Sequence, residues 1–208
     1  MHLLHPAYFP NIAFFSVFID NETIWETQDN FQKQTYRNRT YICTDRGRHM
    51  LSIPIIHGTT EKGRQLYKDV KIDNSYSWQR QHWRTLETAY RTSPFFEFYE
   101  DEIRPLYEKK IEFLMDMNLE SIALICEALQ LKMPVAKTTG YELKPKEKDF
   151  RFLINAKQSV NITADEYTQV FGERHGFIPN TSILDALFNL GPNTVSYLKQ
   201  VEIKKPND

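Results

Sequence analysis

At 208 residues, 41% of them hydrophobic and 13% aromatic, the chain suits one domain with a sizeable core, or a domain with a small appendage. A formal charge of −1 lacks the basic excess of a general nucleic-acid binder, so any anion site must be local. The apolar runs fall far short of the roughly 20 residues of a membrane span, and the widely spaced Cys43 and Cys126 form neither a disulfide framework nor a metal knuckle.

The opening MHLLHPAYFP has no Lys or Arg before its short apolar run and no small-residue cleavage site. It does not read as a signal peptide, which makes the cytoplasm the expected compartment. LLHPAYF is strand-like, and PNIAFFSVFID follows as a helix with Pro10 at its first position. TIWET is a short strand candidate. The polar stretch NFQKQTYRNRT, residues 30–40, leads into RTYICT and HMLSIPIIH, which read as a hairpin turned through DRGR with Gly47 at positive φ. A strand extending from Arg37 would put Arg37 and Arg39 on one face and Asn38 on the other. Pro54 marks an edge or a bulge, and the alternation in LYKDVKID predicts a further strand.

The middle of the chain reads as helical. Residues 75–91 carry large side chains at helical spacing, and SPFFEFYEDEIRPLYEKK continues with Ser93 as N-cap and Pro94 at the first helical position. NLESIALICEALQL is a third helix, with Cys126 on its apolar side. Residues 132–151 form the clearest break, a loop over 134–150 rich in Pro, Gly, Lys and Glu that is expected to be mobile. In PNTSILDALFNLG, Ser182 and Asp185 match a capping box, and Gly191 closes the helix. These elements predict an α+β fold within a single domain, 1–208. A mixed or antiparallel sheet from the N-terminal half is packed by the central helices, with a C-terminal α/β segment closing one side.

Charge is unevenly distributed. Residues 1–91 carry twelve Lys/Arg against nine Asp/Glu, and residues 92–131 carry three against nine. Most of the acidic block falls in early helical turns, where the macrodipole favours it. On a wheel of residues 78–91, Trp78, His82, Trp83, Leu86, Ala89 and Tyr90 occupy an arc of roughly 140°, with Arg80, Arg84 and Arg91 opposite. His82 inside that arc has two readings. It is a core histidine bonded to a carbonyl or a tyrosine, or a neutral imidazole poised as a general base. The sequence holds no GxGxxG, P-loop or nucleophile elbow and no convincing histidine pair, so neither a cofactor nor a metal is expected.

The succession HPAYFP, NFQKQTYRNRT, LSIPI, VKIDNSYSWQRQHWRTLETAY, SPFFEFYED and GFIPNTSILDALFNLG resembles the WbqC-like family, most closely its branch in Bacteroidetes-type bacteria. The resemblance spans about residues 3–198. It implies an enzyme of surface-polysaccharide (O-antigen-like) biosynthesis that transfers an acyl or aminoacyl group to a nucleotide-linked amino sugar. The family pattern touches Tyr8 and Pro10, Arg37, Asn38 and Arg39, His82, and Pro179, Asn180, Ser182 and Asp185. Many relatives have Gln-Pro where this chain has His5-Pro6, which points to binding or orientation by His5 in place of catalysis. On this reading His82 is the catalytic base. Lys33, Arg37 and Arg39 hold phosphate or carboxylate, and Asn38, Asn180, Tyr8 and His5 orient a small-molecule substrate. The alternatives are a nucleic-acid-binding module, with Phe31, Tyr36 and Tyr41 stacking on bases, and a non-catalytic scaffold of a polysaccharide pathway. The oligomeric state is left open.

Overall fold

The computed structural model describes residues 1–58, 65–157 and 160–204. In chain order its elements are β1 (His2–Leu4), α1 (Ile12–Phe18), β2 (Thr23–Trp25), β3 (Arg39–Thr44), β4 (Gly47–Ser52), α2 (Trp78–Tyr90), α3 (Phe96–Glu108), α4 (Leu114–Ala128), β5 (Lys148–Asp149), β6 (Asn161–Thr163), α5 (Gly172–His175), α6 (Ile183–Leu190), α7 (Thr194–Lys199) and β7 (Glu202–Lys204). The class is α+β, as expected, but the strands divide among three small sheets. The order β2-β1-β5 is parallel, while the β3-β4 hairpin and the β6-β7 pair are antiparallel.

Local chemistry explains most element boundaries. The Asn11 side chain caps α1 by accepting from the Phe14 amide at 3.0 Å, so the helix begins two residues after the expected Pro10. Gly47 takes φ +89 at the hairpin turn, the conformation that makes glycine suitable there. Residues 66–73 form a 3-10 turn at Tyr67–Asp69 in place of the expected strand. The described residues of this segment pair through isolated bridges, Leu66 with Asn30, Lys71 with Phe113 and Ile72 with Ile55. α3 starts at Phe96 because the Ser93 hydroxyl donates to the Tyr90 carbonyl at 2.7 Å. It therefore closes α2 and does not open α3.

The apolar arc of α2 packs into a core that also takes Phe14, Phe15 and Phe18 of α1, Trp25 of β2, Phe96 of α3 and Phe188 of α6. α6 is capped by the Ser182 hydroxyl, which accepts from the Leu184 amide at 3.3 Å. Asp185 does not complete a capping box. It is wholly buried, accepting from Tyr90 Oη at 2.8 Å, Tyr167 Oη at 2.6 Å and Gln169 Nε2 at 2.7 Å. Three donors on one carboxylate offset much of its desolvation. The segment after α4 is tied at both ends. The Pro134 carbonyl accepts from Trp25 Nε1 at 2.9 Å, the Thr138 hydroxyl donates to Glu26 at 3.0 Å, and β5 pairs with β1. No helix among the described residues is long and apolar enough to cross a membrane.

Candidate functional site

The polar stretch of residues 30–40 folds as a turn clamped between the N-terminal segment and residues 151–157. The Tyr36 amide donates to the Ile154 carbonyl at 2.8 Å, the Ala156 amide to the Gln34 carbonyl at 3.2 Å, and the Tyr8 amide to the Tyr36 carbonyl at 3.0 Å. Gln34 sits at φ 60, a left-handed conformation that re-aims the chain. These clamps open a cleft of about 460 Å³ whose lining includes His5, Asp29, Lys33, Arg37, Tyr141, Asp149, Arg151 and Lys157.

Arg37 is the structural centre of this cleft and has no exposed surface. Its Nη2 donates to Asp29 Oδ2 at 2.7 Å, and its guanidinium lies 5.0 Å from the centroid of the Tyr67 ring. Its backbone carbonyl accepts from Asn118 Nδ2 at 2.6 Å, and the same amide group reaches Tyr67 Oη. His5 completes the group, with Nε2 3.2 Å from Asp29 Oδ2 and 3.1 Å from Arg37 Nη2. Among the described residues, Arg37 Nε and Nη1 have no hydrogen-bond partner. Two unsatisfied donors on a buried cation are costly, and such groups call for a functional explanation.

The charge states follow from the surroundings. Burial, with the Arg37 charge, lowers His5 to about 4, so the ring is neutral at pH 7. Burial alone would raise the Asp29 carboxyl, but the hydrogen bond with His5 and the Arg37 charge outweigh it and hold Asp29 below its ordinary range. A carboxylate, a neutral imidazole and a guanidinium therefore share one small volume. At the rim Arg151 is engaged, 2.7 Å from Asp149 and 3.4 Å from Glu26, while Lys33 and Lys157 are exposed. Among the described residues, no group of three or more His, Cys, Asp and Glu side chains is placed to hold a metal ion.

Of the side chains singled out from sequence, the structure brings His5, Lys33 and Arg37 together here. Arg39 does not line this cleft. Arg37 lies in the turn before β3, so the two arginines do not share a strand face, and Arg39 stands at the strand's first position opposite Ser52. Asn38 is spent on the fold, its Nδ2 donating to the Ile53 carbonyl at 3.1 Å. Asn180, at φ 53, bridges the Ala13 amide at 3.0 Å and the Val160 carbonyl at 2.9 Å.

Tyr8 and His82 meet away from the cleft. Tyr8 Oη lies 3.0 Å from His82 Nδ1 and 2.7 Å from Tyr107 Oη. Burial takes His82 to about 4 against the opposing hydrogen bond with the Ser52 backbone. These are the contacts of a satisfied core histidine. Asp29 and Arg151 were not singled out from sequence. Asp29 directly precedes the polar stretch, and an acidic residue flanking so basic a run was the available signal. Arg151 carried none, because it reaches the cleft only through the pairing of β5 with β1.

The chain is 28% identical over 227 aligned positions to the uncharacterized protein Rv1507c of Mycobacterium tuberculosis, covering 93% of this chain and 92% of that protein. No solved structure matches the chain. Residues 5–164 match the WbqC-like protein family, a span that contains the whole Asp29–Arg37–His5 group, and the chain belongs to that family.

Proposed function

We propose that the protein is an enzyme of bacterial surface-polysaccharide biosynthesis that transfers an acyl or aminoacyl group to a nucleotide-linked amino sugar. The reaction is assigned to the cleft around Arg37. The observation that carries this reading is the buried Arg37 guanidinium, held by Asp29 and lining an open polar cleft with two of its donors unused. Buried guanidinium groups grip phosphate or carboxylate through paired hydrogen bonds.

The mixed lining narrows the ligand class. Lys33, Arg37, Arg151 and Lys157 suit an anion, while Asp29 and Asp149 suit an ammonium. A nucleotide-linked amino sugar offers both charges on one molecule. Its phosphate would meet Arg37 and Lys33, and its amine would approach Asp29 and His5. With Nε2–H directed to Asp29, His5 Nδ1 is the acceptor that faces Arg37 Nη2 at 3.3 Å. A neutral ring held between Asp29 and Arg37 can orient the amine as it attacks the acyl carbon and displaces the donor's leaving group. His82 in this scheme takes no part in the reaction; it bonds Tyr8 away from the cleft.

Thermal-shift screening with nucleotide-linked amino sugars, each with and without acyl donors, tests the proposal. A ligand of that class is expected to raise the melting temperature of the wild-type chain. Lys33→Gln is expected to weaken its binding by about tenfold, the size of one charge-assisted contact. If no such ligand shifts the melting temperature, and Asp29→Asn leaves polysaccharide synthesis intact in a complementation assay, the reading fails.

A further inference from the structure

A second cleft, of about 590 Å³, opens where the turn of the β3-β4 hairpin faces α2 and α5. Arg46 and His49 reach it from the hairpin, Arg84 from α2 and Arg174 from α5. It lies at the far end of β3 from Arg37, and that strand's six residues span roughly 17 Å. The two clefts are therefore separate, and a ligand held in the second requires no particular chemistry in the first.

Arg91, Arg104 and Arg151 are all paired with carboxylates. Among the described residues, the guanidinium groups of Arg46, Arg84 and Arg174 make no ion pair or hydrogen bond, and Arg174 only lies over the Phe171 ring at 5.8 Å. Arg39, Arg48 and Arg80 also form no ion pair with a described residue, so what distinguishes Arg46, Arg84 and Arg174 is that they share one cleft. Asp45, also in the lining, forms no ion pair with any described residue. Three arginines from three elements thus converge on one concavity with a single unpaired carboxylate nearby.

The placement of Arg174 is built in. The neighbouring His175 donates from Nε2 to the Thr44 carbonyl at 2.9 Å, and its Nδ1 is 3.0 Å from the Gly176 carbonyl. This pins the short α5 against the hairpin turn, so Arg174 faces Arg46 and Arg84 across the cleft.

We infer that this cleft binds the diphosphate group of a small ligand. Guanidinium groups bond phosphate oxygens in pairs, and three of them match the charge of a diphosphate better than that of a carboxylate. The volume falls within the range of small-molecule sites. An extended polyanion fits poorly, because the cationic lining is local. α3, which packs on α2, carries Glu97, Glu100, Asp101 and Glu102, and a long chain leaving the cleft along this side would meet them.

Isothermal titration of the full chain with inorganic pyrophosphate and inorganic phosphate tests the inference. Pyrophosphate is expected to bind more tightly than phosphate. Arg84→Gln and Arg174→Gln should each weaken it by about tenfold or more. Arg80→Gln, on the same helix but outside the cleft, should change it by less than about twofold. Melting curves of each exposed-arginine variant should match that of the wild-type chain, which separates lost binding from lost fold. The inference is overturned by any of four results: no pyrophosphate binding, phosphate binding as tightly as pyrophosphate, equal weakening by Arg80→Gln, or weakening by Lys33→Gln with Arg84→Gln unaffected. A single-stranded oligonucleotide that displaces pyrophosphate and binds more tightly also overturns it, by making the cleft part of a polyanion surface.

Discussion

At the scale of single residues, the chain buries charge and imidazole where a purely structural core would hold apolar side chains. His5 and His82 are both lowered to about 4, chiefly by burial, whereas an unfolded histidine titrates near 6.5. Between these values the unfolded chain binds more protons than the folded one. The histidine contribution to stability is therefore complete above about pH 6.5 and is lost as the pH falls toward 4. Each ring contributes up to about 3 kcal/mol by linkage. Denaturant titrations at pH 7 and pH 4.5 should show the wild-type chain much weaker at the lower pH, with a smaller difference in His82→Gln. An unchanged difference would mean that His82 is not the buried neutral group its contacts describe. His82 also shows what a helical wheel conveys. The apolar arc of α2 announced its burial, but not its partner Tyr8, which bonds His82 and Tyr107 from 74 and 99 residues away. No local pattern encodes such pairs.

At the scale of elements, strong periodicity was readable and short pairing was not. α2 and α4 fall close to their expected positions, because thirteen and fifteen residues give the 3.6-residue period room to show. The parallel sheet was illegible for the opposite reason. β1 has three residues, and its partners begin at Thr23 and Lys148, so neither alternation nor a turn signal connects them. The hairpin was legible through Gly47, yet the positions of Arg37 and Arg39 relative to it were not, since β3 starts two residues later than Arg37. The end of α6 was also readable, and it supports a sharp prediction. Gly191 takes φ +54, and a Cβ there would lie 2.6 Å from Phe95 Cδ1. Gly191→Ala combines an unfavourable backbone conformation with a clash against a packed ring, and should cost roughly 2–4 kcal/mol. Equilibrium unfolding measures this directly, and a cost below about 0.5 kcal/mol, the usual effect of a surface change, would mean that α6 does not end in this geometry.

At the scale of the whole molecule, a formal charge of −1 conceals two cationic clefts at opposite ends of one hairpin. Sequence counting located the basic bias of residues 1–91 but could not divide it. Lys33 and Arg37 serve one cleft, Arg46 and Arg84 the other, and each is completed by a residue from beyond position 150, Arg151 or Arg174. The central claim is that the Asp29–Arg37–His5 group holds the anionic part of the substrate. A crystal structure of the chain with a bound nucleotide-linked amino sugar tests it most directly. The account predicts that the guanidinium of Arg37, buried in the free chain, is opened to the cleft on binding. A phosphate oxygen then lies about 3 Å from its Nε or Nη1, the ordinary span of such a hydrogen bond, with the amine directed toward Asp29 and His5. A ligand bound elsewhere, leaving both Arg37 nitrogens without a partner, would contradict it.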